Sequence, residues 1–216
     1  MGQRANLIVV RDNTYDLYYS HWCANTLPKD LFWGEQYAIQ YIEMQTRVDE
    51  SGWLDDVWAE GGAVLDVDKK KLVFYGGEDI LYNIPLRNLY LKLMRKIWHA
   101  YDLPNLSEQL SVKWSDWEVI DHYGNYELQC KRTDGRLQFQ RVDQQQLLET
   151  LKGLLLKESS NPLDAIAYIV NKEADAGRTV EISPYALRYD RFELPGNVKE
   201  EILDYAINQL SYREEP

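Results

Sequence analysis

Leu7, Ile8, Val9 and Val10 form an apolar run without a polar member. Apolar residues on both parities mark a strand covered on both faces, which places it inside its sheet rather than at an edge. Asp12-Asn13 follows, a pair that tolerates turn geometry. The chain then returns over 14–22, with Tyr15, Leu17, Tyr19, His21 and Cys23 sharing one face by period two. Pro28 and Asp30 open a helix whose apolar positions include Ala38, Tyr41 and Ile42.

This phrase, a hairpin followed by an amphipathic helix, is predicted twice more. Ala63, Leu65 and Val67 alternate with Val64, Asp66 and Asp68. Asp68-Lys69-Lys70-Lys71 reverses the chain, and Leu72 to Tyr75 return, with Gly61-Gly62 and Gly76-Gly77 punctuating the pair. Asn83 and Pro85 suit a helix start, and Leu86, Leu89, Tyr90, Leu93, Ile97 and Trp98 form one stripe behind them. The third copy predicts strands over 117–123 and 126–142, the latter folded at Asp134-Gly135, a strong hairpin signal. Asp143 and Gln146 have capping-box spacing, and Leu147, Leu148, Leu151, Leu154 and Leu155 make the helix stripe.

The tail reads differently. Asn161-Pro162 starts a helix with Ile166, Ile169 and Val170 inward, ending near Gly177. A short strand is predicted over 179–182, and Val198, Ile202, Tyr205, Ala206 and Leu210 mark a last helix after Pro195-Gly196. Residue identity between the three copies is weak, so the phrase is a pattern of structure and not a solenoid repeat. The expected class is α+β. A mainly antiparallel sheet is built from successive β-hairpins each followed by a helix, with helices on one face and a helical C-terminal segment. One domain over 1–216 is expected; the alternative divides 1–106 from 107–216 at the polar stretch 104–111.

Charge narrows the partners. The 216 residues carry a net charge of −11, and an acidic body repels phosphate backbones and anionic lipid while suiting a basic protein. Sixteen Tyr and seven Trp stand against four Phe, and rings with a polar handle are enriched at interfaces. No apolar run reaches the span of about 18 residues that a membrane helix needs. The first residues, Met-Gly-Gln-Arg-Ala-Asn, lack a signal-peptide layout, and Asn6 stands where a myristoylation pattern wants Ser or Thr. Cys23 and Cys130 are then expected as reduced thiols of a cytoplasmic protein.

Candidate chemistry is sparse. His21 and Cys23 would point the same way on a strand, so a thiolate–imidazolium nucleophile is conceivable, with Asp16 as a possible orienting acid. An N-terminal nucleophile is not expected, since residues 1–3 are Met-Gly-Gln and Cys23 could become terminal only by removal of the first central strand. His21, His99 and His122 are scattered, Asp66 with Asp68 lacks the rest of a calcium loop, and neither glycine pair belongs to a phosphate loop, so neither metal nor cofactor is expected. The remaining feature is an acidic stretch over 49–68 with seven acids and no base. As a helical turn it would set Trp53, Leu54, Val57 and Trp58 on one face. Trp53, Asp55, Asp56, Trp58 and Glu60 are the expected partner-binding residues, the acids steering and an indole anchoring. The function expected is a non-catalytic cytoplasmic protein-interaction module, an immunity or inhibitor protein that occludes a basic protein partner. The alternative is a cysteine-dependent hydrolase or acyltransferase using Cys23 and His21.

Overall fold

Strand β1 (Ala5–Arg11) has neighbours on both sides, as its sequence predicts. The computed structural model describes residues 3–81, 83–103, 128–133, 136–141, 143–158, 161–188 and 192–211. A type of turn with positive φ at Asp12 and Asn13 (54° and 55°) returns the chain into β2 (Thr14–Ser20). The sheet has five strands in the order β3-β2-β1-β4-β5, with β3 Thr46–Val48, β4 Gly61–Asp66 and β5 Lys71–Tyr75.

This sheet is mixed, which corrects the expectation of hairpins joined only by antiparallel pairing. β1 pairs with β4 in parallel, from Ala5 opposite Gly61 to Val10 opposite Asp66. The cause is the connection. Between β2 and β4 the chain crosses through α1 (Leu27–Leu31) and α2 (Glu35–Glu43), and a parallel neighbour requires such a crossover. The single helix expected after Pro28 is broken in two at Gly34, whose φ of +101° cannot continue a helix. The third hairpin, β6 (Leu128–Thr133) with β7 (Arg136–Arg141), forms a two-stranded ribbon of its own and does not extend the main sheet. The turn at Asp134-Gly135, the linker 104–111 and the strand expected over 117–123 lie outside the described residues.

One sheet face carries the core. Ala5, Leu7, Val9, Tyr18, Ala63, Leu65, Leu72 and Phe74 are buried there beneath the helices. After the short α3 (Glu78–Leu81) comes α4 (Ile84–Ile97), started by Asn83, whose Oδ1 accepts the Leu86 amide at 3.2 Å. Two rings from this region hide their polar ends by donating to α1: Tyr90 Oη to the Pro28 carbonyl at 2.7 Å, and Trp98 Nε1 to the Leu31 carbonyl at 3.0 Å. α5 (Gln144–Leu156) is capped by Asp143 and buries Leu147, Leu151 and Leu155. α6 (Pro162–Asp175) is capped by Asn161, but none of its residues is buried; Ile166, Ile169 and Val170 were expected inward, and Ile169 is half-exposed. Residues 179–182 form no strand. α7 (Gly196–Ser211) buries Leu203 and Ala206, while Tyr205, expected on its inner stripe, is half-exposed.

Two glycines explain how α1 seats on the sheet. Gly76 and Gly77 have φ of +113° and +81°. A Cβ at Gly76 would lie 2.4 Å from the Ala24 carbonyl oxygen, and one at Gly77 2.2 Å from Pro28 Cγ. The segment leading into α1 therefore rests directly on backbone. The opposite sheet face has no helix over it among the described residues. It carries Ile8, Val10, Val64, Val73, Tyr15 and Tyr75, and the segment 49–60 lies along one side of it.

Candidate functional site

The acidic segment is not a helix, and its hold on the sheet comes from side chains bonding backbone. Asp49 accepts the Ser51 amide at 2.9 Å and starts a short 3-10 turn, Glu50–Gly52. Asn6 sits in β1 with 6% exposure. Its Nδ2 donates to the Leu54 carbonyl at 2.8 Å, and its Oδ1 accepts the Leu54 amide at 3.1 Å. Asp55 Oδ1 accepts the amides of Val57 and Trp58, both at 3.1 Å. Glu60 accepts the Arg4 amide at 2.8 Å, and the Arg4 guanidinium lies 4.7 Å from the Trp58 ring centroid.

This arrangement displays what the sequence singled out. Trp53 and Trp58 are each 54% exposed and Val57 76%. Asp55, Asp56 and Glu60 are exposed as well. Of the expected apolar face, Trp53, Val57 and Trp58 are exposed and Leu54 is half-buried, and the helical turn is limited to one α-type bond, the Ala59 amide to the Asp55 carbonyl at 2.9 Å. Arg4 and Asn6 were not foreseen as part of the site. A polar Asn beside an apolar strand run was the available signal, since a buried amide must find partners.

Beside this loop the open sheet face deepens into a groove of about 760 Å³. Ile8, Val10 and Val64 form its floor, and Tyr15 and Trp53 stand along it. Tyr15 donates to Glu50 at 2.8 Å, and that carboxylate raises the Tyr15 pKa. At the other end Asp66 accepts the Lys69 amide at 2.8 Å, with Lys69 Nζ at 3.8 Å. Asp68 reaches across to the first hairpin and accepts the amides of Asp12 at 3.0 Å and Asn13 at 2.8 Å. Those two bonds hold the Asp68 pKa below the ordinary carboxylate value. Glu50, Asp66 and Asp68 thus face the groove with Lys69 as the cation among them.

The Cys23–His21 pair does not assemble. β2 ends at Ser20, so period-two facing stops before either residue. Tyr19 Oη and His21 Nδ1 are hydrogen-bonded at 2.6 Å, and the imidazole packs edge-on to Trp22. Burial, with the Arg4 charge, lowers the His21 pKa. Cys23 lies elsewhere, beneath Tyr41 and Ser20, and burial pushes its thiol up to about 12. Tyr41 continues to Asp30, which also bonds Thr26 and is raised by burial to about 6. These groups border a second cleft of about 710 Å³. Burial that disfavours the thiolate leaves such a thiol little nucleophilic character near neutral pH. Iodoacetamide at pH 8 is therefore expected to leave Cys23 unmodified in the native protein and to label it only in denaturant, as read by peptide mass mapping; rapid native labelling would revive the catalytic alternative.

Among the described residues no three His, Cys, Asp or Glu side chains are grouped so as to hold a metal ion. No protein-family model, curated protein or solved structure matches the chain.

Proposed function

We propose that the protein is a non-catalytic interaction module that binds a basic protein partner through its open sheet face, as an immunity or inhibitor protein does when it occludes its target. The observation that carries this reading is an apolar, aromatic sheet face, bounded by carboxylates, that no helix covers among the described residues. Exposed apolar patches with a polar rim are the usual mark of a contact surface. Trp53 and Trp58 supply large rings that lose little side-chain entropy on contact, and such rings dominate binding energy where they become desolvated. Asp55, Asp56 and Glu60, with the net charge of −11, supply the attraction that speeds encounter with a basic surface. The same charge disfavours nucleic acid. No described helix is long and apolar enough to cross a membrane. The proposed setting is the cytoplasm, where the unbridged thiol of Cys23 would persist.

The test joins partner capture, native mass spectrometry and salt titration. Asp55→Lys with Asp56→Lys is expected to slow association about tenfold at low ionic strength and to flatten its dependence on salt. Trp58→Ala is expected to act on dissociation instead. Stoichiometric capture that ignores the double charge reversal at every salt concentration would exclude this surface.

A further inference from the structure

We propose that the groove between Tyr15, Trp53 and the β4–β5 turn receives an arginine side chain of the partner, and that Lys69 occupies the acidic end of the groove until it arrives. This rests on the reading of the open face as the site for a basic protein, and it names the group recognised there.

The groove matches an arginine part by part. Its floor of Ile8, Val10 and Val64 suits an aliphatic stem, which covers apolar surface while its head stays polar. Tyr15 and Trp53 stand beside that floor, and a guanidinium stacks on aromatic rings better than an ammonium does. Asp66 closes the end of the floor on β4, where its register partners are Val10 and Lys71. The Asp66 side chain is only 13% exposed. A carboxylate shielded from water attracts a cation more strongly than one on the open surface.

The present occupant is loosely held. Lys69 Nζ is 3.8 Å from Asp66 Oδ2, and the lysine side chain is 80% exposed. The ammonium lies in solvent and at 3.8 Å makes no hydrogen bond to the carboxylate, so an incoming guanidinium displaces it at small cost. A guanidinium can also take two parallel bonds from one carboxylate, which a lysine cannot. Glu50, Asp66 and Asp68 together outnumber Lys69, so the groove remains negative with the lysine in place. Its volume of about 760 Å³ leaves room for the chain flanking the arginine.

The experiment is an NMR titration of the full chain with three blocked tripeptides, Ala-Arg-Ala, Ala-Lys-Ala and Ala-citrulline-Ala. The arginine peptide is expected to shift the Trp53 indole N–H and the Val64 methyls saturably, the lysine peptide to bind about fivefold more weakly, and the citrulline peptide not to bind. Lys69→Ala is expected to tighten the arginine peptide about threefold, whereas Lys152→Ala, an equal change of charge on α5, leaves it unchanged. Asp66→Asn should weaken it about tenfold with an unaltered melting temperature. Absence of shifts at Trp53 and Val64, equal binding of arginine and citrulline, or equal effects of the two lysine variants would each overturn the assignment. Partner capture that persists while the arginine peptide fails removes the groove alone; a peptide that binds while no basic protein is captured removes the broader reading.

Discussion

Gly77→Ala is expected to destabilise the protein by about 4 kcal/mol, from strain at a positive φ together with overpacking. The added Cβ meets Pro28 Cγ at 2.2 Å and Cδ at 2.5 Å, both on a rigid ring that has no rotamer to yield. Neither cost can be relieved separately. Moving Pro28 also moves the carbonyl to which Tyr90 donates, and with it the seat of α1 on the sheet. The contrast is Gly153, inside α5, where a Cβ would meet nothing within 4 Å. Gly153→Ala removes the entropic cost of a helical glycine and should stabilise by about 0.5–1 kcal/mol. Urea unfolding measures both, as midpoint shifts at constant slope. A Gly77→Ala protein within 1 kcal/mol of the parent, about the noise of such comparisons, would show that Pro28 is not fixed where it stands.

Asp30→Asn is expected to stabilise the protein above pH 6 and to leave it unchanged near pH 4. Burial raises this carboxyl from 3.8 to about 6, against the opposing pull of the Thr26 and Tyr41 hydroxyls and of Lys29 and Lys199. The folded state therefore holds the proton more tightly than the unfolded chain does. The contribution of Asp30 is most favourable below the unfolded value, is lost as pH rises to the folded value, and is a constant penalty beyond it. That penalty amounts to about 3 kcal/mol. Asparagine keeps an oxygen for both hydroxyls and never ionises, so the penalty disappears. The check is denaturant unfolding of both proteins from pH 4 to pH 8. Parallel stability curves across that interval would mean that the carboxyl is better hydrated than its place between Tyr41 and Thr26 implies.

Local signals in the chain specify local outcomes. Asn83, Asp143 and Asn161 each cap the helix they announce, because a cap is decided within three residues. β1 is central, as expected, but not through coverage of both faces: Ile8 and Val10 lie on the open side of the sheet. The parallel pairing of β1 with β4 was not legible, since nothing near either strand encodes the crossover that orders them. β3 escaped because three residues carry no measurable period. The stripe of α6 shows the opposite failure: periodicity reports an amphipathic helix, not whether another element covers it. At the candidate site the indoles could be named in advance, but their exposure follows from long-range bonds. Asn6 to Leu54 and Asp68 to Asn13 join residues 48 and 55 positions apart. No window on the sequence contains both ends of such a bond.

Asn6 has one more consequence. It belongs to the central strand of the sheet, so the loop that carries Trp53 is tied to an element hydrogen-bonded on both sides. A molecule settling over the two indoles would find them already in place and would lose little entropy to freezing a mobile arm. Its affinity would then be limited by how well its own surface is pre-shaped.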